Sequence, residues 1–310
     1  MRTLVMGAGA VGAYFGGKLA LAGEDVVFVA RGEHLGALRT HGLRIESRSG
    51  TLQTAPLRAV DDPVAAGECD LILVGVKSYD TAAAAAALRP VVRADAIVLS
   101  LQNGIENEAV LADALGMPPL LGALTHIGAE RIGPGVVRHD SGGRIVFGER
   151  DGRRSARAER VAALLTRAAI AHHLSGHITV MLWDKLAWNA AFNASTAMTR
   201  RSVGALLAQD DGRRLVEAAM REVVTVANAS GVALDGARVG PEIERSALEL
   251  GHLRTSMLQD RERGRRLEHE ALNGAVLRAA ARAGVAVPVN RVLYGLLAAL
   301  DRQARAAPRS

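Results

Sequence analysis

One stretch of the sequence with helical character carries an ammonium group and two amides in a row. Residues 180–193 read VMLWDKLAWNAAFN, and ten of these fourteen positions are apolar or small. Lys185, Asn189 and Asn193 are spaced four apart, which places their side chains on nearly one face of a helix. A lysine held among apolar residues has a lowered pKa, which suits proton donation near neutral pH. The alternative is a lysine that snorkels to solvent or pairs with Asp184 or a distant glutamate.

Lysine is scarce in this chain, which makes its positions informative. Of 38 basic residues only three are lysine, namely Lys18, Lys77 and Lys185. Arginine serves elsewhere as the general surface cation, so a retained lysine indicates a need for a compact ammonium whose pKa can be lowered. Lys18 fits an ordinary surface position of the first helix. The histidines offer no better proton donor, since only His269 has a carboxylate on both sides, and no Tyr-x-x-x-Lys pair occurs.

A glycine loop near the N-terminus indicates a dinucleotide site. Gly7, Gly9 and Gly12 form G-x-G-x-x-G directly after a short strand and before a helix. In this context the glycines allow a tight turn, close approach of the backbone to a pyrophosphate, and close helix–strand packing. The second strand ends in Arg31, and a guanidinium there favours the 2′-phosphate of NADP(H). Glu33, two residues further on, is the candidate for binding a free ribose 2′-hydroxyl instead.

Two further strand ends carry polar residues that could reach a ligand. Lys77 ends LILVGVK, and Asn103 follows the strand AIVLSL in the segment QNG. Ligands of open α/β sheets bind beyond the carboxyl ends of the strands, so both residues could lie at a cofactor or substrate site. A solvated lysine and a plain Asn-Gly turn are the alternatives.

Composition excludes several classes of protein. The 310 residues are 49% hydrophobic and 23% charged, which is typical of a globular protein with room for two domains. No apolar run approaches the ~20 residues of a membrane helix. The net charge of +6 comes without the aromatic interleaving of a nucleic-acid surface. The single cysteine, Cys69, cannot form an internal disulfide or a zinc site, and the absence of a signal peptide favours a cytoplasmic location.

Alternation of strand and helix patterns predicts an α/β Rossmann-type, doubly wound N-terminal domain at residues 1–176. From residue 177 to 310 nearly every segment has helical periodicity, which predicts an all-α C-terminal domain. Strands are expected at 2–6, 71–76, 96–101, 120–128 and 144–148, and later helices at 179–199, 210–230, 239–259, 266–283 and 289–306.

Five motifs, in order along nearly the whole chain, resemble those of the ketopantoate reductase (2-dehydropantoate 2-reductase) family. They are GAGAVGAYFGGKLALAGEDVVFVAR, VKSYDT, QNG, WDKLAWNAAFN and TSMLQDRERGRRLEHEALNG. The resemblance implies NADPH-dependent reduction of 2-dehydropantoate to (R)-pantoate, a step toward pantothenate and coenzyme A. It also raises the expectation of a homodimer, with no metal, membrane or nucleic-acid partner.

The resemblance assigns roles to individual residues. Lys185 would be the general acid, and Glu268 a catalytic residue that fixes Lys185 or the cofactor ribose. Asn189 and Asn193 would hold the hydroxyl end of the substrate, and Ser256, with Asn103 nearby, its carboxylate. The implied cofactor site comprises Gly7, Ala8, Gly9, Ala10, Val11, Gly12, Arg31, Lys77, Asn103, Gly128 and Glu268.

Three departures from the family pattern lie on the substrate side. Leu253 stands where a polar side chain is frequent, Val203 where an asparagine-type contact is expected, and Leu267 replaces the threonine before the glutamate. They leave the hydride chemistry in place and leave open a paralogous reductase of another branched 2-keto acid. Two separate alternatives are a related β-hydroxyacid or sugar-phosphate dehydrogenase and a non-catalytic NADP(H)-sensing protein.

Overall fold

A computed structural model describes residues 1–117 and 120–306. The chain forms two compact units, Met1–Ile178 and Thr179–Ser310, each of which is described here by itself.

The first unit is built on a five-stranded sheet in which every neighbouring pair is parallel, in the order β5-β2-β1-β6-β7. Side chains of successive residues alternate between two buried apolar clusters, one on each face of the sheet. Both faces are therefore covered, which confirms the doubly wound class. The strands of this sheet are β1 (Thr3–Met6), β2 (Val26–Val29), β5 (Arg58–Val60), β6 (Leu71–Val74) and β7 (Ile97–Ser100).

A second, mixed sheet was not expected. Strands form at 122–128 and 144–148, within the ranges expected at 120–128 and 144–148, but they are parts of two longer antiparallel strands outside the parallel sheet. The pairing joins residues up to 26 positions apart, from Gly122 to Gly148, which local periodicity cannot reveal. The strands of the second sheet are β3 (Arg44–Ser47), β4 (Gly50–Gln53), β8 (Gly122–Gly133), β9 (Val136–Gly148) and β10 (Ala171–Leu174).

The helices of the first unit pack on both faces of the parallel sheet. Residues of α1 and α5 belong to one apolar cluster, and residues of α3 and α4 belong to the other. The helices are α1 (Ala10–Leu21), α2 (Gly32–His41), α3 (Thr81–Leu88), α4 (Asn107–Leu115) and α5 (Ala156–Arg167), with 3₁₀ turns at Pro63–Ala66 and Ser78–Asp80.

The second unit is helical, as predicted, with differences in three places, one of which is an additional short helix at Val203–Leu207. The helix expected at 239–259 is two helices separated by a loop around Gly251, and the one expected at 266–283 begins with a π-helical turn, Glu270–Gly274. Its α-helices are α6 (Ile178–Thr199), α7 (Val203–Leu207), α8 (Asp210–Ala229), α9 (Val239–Glu249), α10 (Ser256–Glu262), α11 (Ala275–Ala283) and α12 (Pro288–Ala306). None of the described helices is long and apolar enough to cross a membrane.

Candidate active site

The glycine loop joins β1 to α1 with no room for side chains. Gly7 has φ +98°, and a Cβ there would lie 2.6 Å from a methyl carbon of Val76. A Cβ on Gly12 would lie 2.2 Å from the carbonyl oxygen of Gly7. Gly9, in extended conformation, precedes α1 and offers no side-chain cap to its first turn. The backbone N–H groups of that turn therefore suit an anion such as a pyrophosphate, and the loop fits a dinucleotide.

His34 fixes the glycine loop, a role that the sequence did not reveal. This buried side chain lies in α2, and its Nδ1 accepts a hydrogen bond from the backbone N–H of Gly135 at 2.9 Å. The proton must then be on Nε2, which donates to the carbonyl oxygen of Ala8 at 2.7 Å. Burial lowers the pKa of His34, so the neutral tautomer is favoured. The ring thus connects the loop to α2 and to the β8–β9 turn.

Arg31 lies where the sequence placed it, directly after β2. Its side chain is exposed, and the residue forms the N-cap of α2. It lines a groove of about 430 Å³ at the carboxyl ends of β1 and β2, together with Asp61, Asp62 and Val64. Asp62 accepts a hydrogen bond from the backbone N–H of Val64, which engages one carboxylate oxygen in the turn. Glu33 is also exposed, in the first turn of α2.

Buried side chains join the loops that carry Lys77 and Asn103. Gln102 donates from Nε2 to the carbonyl oxygen of Val76 at 3.0 Å and to the hydroxyl of Thr81 at 2.8 Å. Asn107 donates from Nδ2 to the carbonyl oxygen of Asn103 at 2.8 Å.

The Thr81 hydroxyl and the Asn107 side chain close this network at 3.0 Å. Lys77 and Asn103 are therefore on adjacent loops, after β6 and β7. Gly128 instead lies on β8 of the second sheet, opposite Ser141.

Lys185 is half-buried in α6, and its helix neighbours Leu182 and Leu186 are buried. Burial lowers the pKa of Lys185 to about 8, and the nearby carboxylate of Glu268 partly opposes that decrease. Asp184 is exposed and experiences a different environment, because its charged neighbours are Arg238, Glu242 and Arg245. The carboxylate that acts on Lys185 is thus Glu268, and Glu268 is itself buried at 8% exposure.

Asn193 is hydrogen-bonded to the start of α10 on one side and to Asn189 on the other. Its Oδ1 accepts from the backbone N–H of Met257 at 3.3 Å and from the hydroxyl of Ser256 at 3.4 Å. Because a backbone N–H can only donate, the orientation of the Asn193 amide is fixed. Its Nδ2 then donates to Oδ1 of Asn189 at 3.1 Å.

Asn193 is 2% exposed and Asn189 6%. Ser256, the first residue of α10, is exposed.

The three departures from the family pattern differ in kind. Val203 is fully buried and Leu267 is 3% exposed, so both are packing positions. The backbone N–H of Leu267 donates to Asp301 at 2.7 Å. Leu253 is half-buried in the loop before α10, and its carbonyl oxygen accepts from the backbone N–H of Val203 at 3.0 Å. Leu253 is therefore the departure that could alter a ligand-facing surface.

The described residues contain no group of three or more histidine, cysteine and acidic side chains that could hold a metal ion. Cys69 is buried, and burial raises the pKa of its thiol.

Comparison with known proteins places both units in one family. The model described as Ketopantoate reductase PanE/ApbA matches residues 3–152, and Ketopantoate reductase PanE/ApbA C terminal matches residues 177–301. A 2-dehydropantoate 2-reductase of Halobacterium salinarum is 38% identical over 305 residues, covering 97% of this chain and 99% of that protein.

Solved structures agree with this family. A PanE/ApbA family ketopantoate reductase from Ralstonia eutropha JMP134 has a TM-score of 0.91 at 36% identity, covering 98% of this chain and 100% of that one. A D-mandelate dehydrogenase in complex with NADH has a TM-score of 0.88 at 25% identity, covering 98% and 99%.

The glycine loop on a parallel sheet and the half-buried lysine of a helical unit define an oxidoreductase of an NAD(P)H-dependent class. Within that class, the chain belongs to the ketopantoate reductase family, whose members act on small keto acids.

Proposed function

We propose that this protein catalyses the NADPH-dependent reduction of 2-dehydropantoate to (R)-pantoate. The observation that carries the proposal is Lys185, whose pKa is lowered to about 8 in α6 next to Glu268. An ammonium with that pKa is mostly protonated at neutral pH and still gives up its proton readily. When bound, the nicotinamide supplies a hydride to the C2 carbonyl carbon, and Nζ of Lys185 donates a proton to the resulting alkoxide oxygen.

Further residues complete the proposed site. Asn189 and Asn193 hold the hydroxyl end of the substrate, Asn193 acting largely through Asn189, and Ser256 at the start of α10 binds the carboxylate with Asn103. Glu268 sustains the charge of Lys185 through its carboxylate. The residues that would hold the cofactor are the loop from Gly7 to Gly12, Arg31, Lys77, Asn103, Gly128 and Glu268.

A preference for NADPH over NADH is part of the proposal. Arg31 follows β2, where the ribose of a dinucleotide lies in this fold, and its exposed guanidinium suits a 2′-phosphate. Asp61 and Asp62 line the same groove and oppose that preference in part.

The test is an NADPH-oxidation assay with a panel of 2-keto acids, repeated with NADH. We expect turnover with 2-dehydropantoate, loss of nearly all turnover in Lys185→Ala, and no recovery in Lys185→Arg. Arginine retains the positive charge but does not give up a proton near neutral pH, so it separates charge from proton donation. Lys18→Ala is the control, since Lys18 donates to the carbonyl oxygen of Ala169 in the other unit.

A second candidate substrate is a branched 2-keto acid without a terminal hydroxyl. It is favoured by Leu253, an apolar side chain that remains half-exposed next to the loop leading into α10. This candidate would be supported if kcat/KM were highest for such an acid and if Leu253→Asn shifted the substrate preference toward 2-dehydropantoate. NADPH binding without turnover of any acid in the panel would instead favour a sensing protein.

A domain boundary between residues 176 and 177, a homodimer and a cytoplasmic location stay predictions. Light scattering of the purified protein tests the homodimer.

A further inference from the structure

A chain of polar side chains runs from the half-buried Glu222 into the core of the second unit. Asn273 and Asn290 are both 0% exposed. They connect α8, the start of α12, the π-helical turn and α6. Burial of an amide among apolar helices is costly unless its hydrogen bonds are made, so the arrangement of these bonds is informative.

The chain begins at Glu222 in α8, whose carboxylate caps the start of α12. Its two oxygens accept from the backbone N–H groups of Val289 at 2.8 Å and Asn290 at 2.9 Å. The Nδ2 group of Asn290 donates to Glu222 at 2.8 Å and to the carbonyl oxygen of Ala219 at 3.0 Å. Both partners are pure acceptors, so the orientation of the Asn290 amide is fixed and its Oδ1 points to Asn273.

Asn273 continues the chain to the helix that carries Lys185. Its Nδ2 donates to Oδ1 of Asn290 and to the carbonyl oxygen of Ala190, each at 3.0 Å. Ala190 lies five residues after Lys185 in α6, and Asn273 lies five residues after Glu268. The Asn273–Ala190 bond therefore connects α6, which carries the ammonium, to the π-helical turn that begins two residues after the carboxylate of Glu268.

Stability alone gives a poor reason for asparagine at position 273. Its Oδ1 is buried and has no hydrogen-bond partner among the described residues. The cost of one buried unpaired acceptor is comparable with the net gain from two neutral hydrogen bonds. The π-helical turn in which Asn273 lies is also a rare geometry that occurs frequently at functional sites.

We infer that Asn273, held by Asn290 and Glu222, is a positioning residue that sets the separation between the Lys185 ammonium and the Glu268 carboxylate. The inference rests on the proposed function only for the role of Lys185 as proton donor. Besides burial, Glu268 is the group whose charge acts on Lys185. Loss of the Asn273 connection would let the two elements move apart, and Lys185 would then lose its proton at a lower pH.

The protonation of Lys185 is directly measurable, because the chain has only three lysines. In protein labelled with ¹³C-lysine, the Cε signals of Lys18, Lys77 and Lys185 can be followed by NMR across pH, and Lys185→Ala identifies its signal by deletion. In Asn273→Ala we expect the midpoint of the Lys185 titration to fall by about one pH unit. This is the low end of the pKa shift that a close opposite charge causes. The protonated fraction at pH 7 would then fall from about nine-tenths to about one-half.

Two further variants keep the test decisive. Asn290→Ala removes the residue that orients Asn273 and should lower the midpoint by a smaller amount, and Asn273→Ser retains a donor and should shift it least. Leu206→Ala truncates a buried side chain of α7 and serves as the control for general loosening of the unit. If Asn273→Ala fails to fold, Asn290→Ala and Asn273→Ser carry the comparison.

If the midpoint of the Lys185 titration is unchanged in the asparagine variants, the inference is overturned and Asn273 is a purely structural residue. An equal decrease in Leu206→Ala would overturn it as well. Because the titration needs no turnover, its result is independent of the substrate assay. A wild type that reduces no keto acid but titrates as expected would refute the proposed function and leave the positioning role standing.

Discussion

Replacement of Lys185 by methionine should abolish turnover and at the same time stabilise the second unit. Methionine is apolar, unbranched and close to lysine in length, so it can occupy the position of Lys185 in α6 without the charge. Desolvation of the ammonium is the main reason that its pKa is lowered, and that lowering is a cost to the folded state. The buried ammonium of Lys185 therefore reduces the stability of the fold that holds it.

The size of the effect follows from the two pKa values of Lys185. Its pKa falls from 10.5 to about 8 on folding, a difference of about 2.5 pH units, which corresponds to at most about 3 kcal/mol. Below pH ~8 the lysine is charged in both the folded and the unfolded chain, so the whole cost is present. Between pH ~8 and ~10.5 the unfolded chain binds more protons, and the wild type gains stability as the pH rises. The difference in unfolding free energy between Lys185→Met and wild type should therefore decrease by about 2 kcal/mol between pH 7 and pH 9.5.

The assay is urea unfolding at both pH values, followed by tryptophan fluorescence. The only two tryptophans, Trp183 and Trp188, lie in α6, so the signal reports the unit that contains Lys185. Arg213→Met is the matched control, because Arg213 forms an exposed ion pair with Glu244 that should contribute little. A stability difference between Lys185→Met and wild type that does not change with pH would refute the reasoning. A variant less stable than wild type at pH 7 would refute it too.

Three other predictions concern the reaction and its cofactor. The rate of keto-acid reduction should fall about tenfold per pH unit above pH ~8, since Lys185 must be protonated to act; a flat stopped-flow profile to pH 10 would exclude it as the donor. Arg31→Ala should raise the KM for NADPH at least about tenfold and leave that for NADH nearly unchanged, and a parallel rise in both would show that Arg31 does not read a 2′-phosphate. Gly12→Ala should abolish NADPH binding measured by fluorescence titration, because the added Cβ meets the Gly7 carbonyl oxygen at 2.2 Å, whereas Gly36→Ala in α2 meets nothing within 4 Å and should bind normally.

Elements with strong local patterns could be predicted from the sequence, because their signals lie within a few residues. The strand–glycine loop–helix of residues 3–21 and the helix that carries Lys185 are both in place, and the fold class is confirmed. The break in the helix expected at 239–259 has a cause that is distant in sequence. The backbone N–H of Gly204 donates to the carbonyl oxygen of Gly251 at 2.8 Å, and the loop packs where a Cβ on Gly204 would not fit. Gly251 itself was the one local sign of that break.

The supporting residues of the candidate site could not be predicted. His34 contacts a glycine 101 positions away, and Asn290 contacts α8 at a separation of 68 residues or more. Such side chains belong to no periodic pattern or motif, because nothing in the neighbouring residues shows that a histidine or asparagine will be buried and hydrogen-bonded. Lys185 could be found because a lysine is unusual in its apolar surroundings, whereas Glu268 lies in a charge-rich segment and was indicated only by the family resemblance. The residues that support these groups carry no such signal in the sequence and can be recognised only in the folded structure.

The orientation of the amides in the second unit limits what a ligand there can be. The backbone N–H of Met257 fixes Oδ1 of Asn193, Asn193 in turn engages Oδ1 of Asn189, and Asn189 is left to offer its Nδ2 donors. Lys185, one helical turn earlier in α6, is also a donor, because a charged ammonium has three N–H donors and no acceptor atom. A row made only of donors matches a molecule rich in acceptor oxygens, such as a 2-keto acid, and mismatches one that presents donors. The same row would stabilise negative charge on an oxygen at the moment of hydride transfer, when a carbonyl becomes an alkoxide.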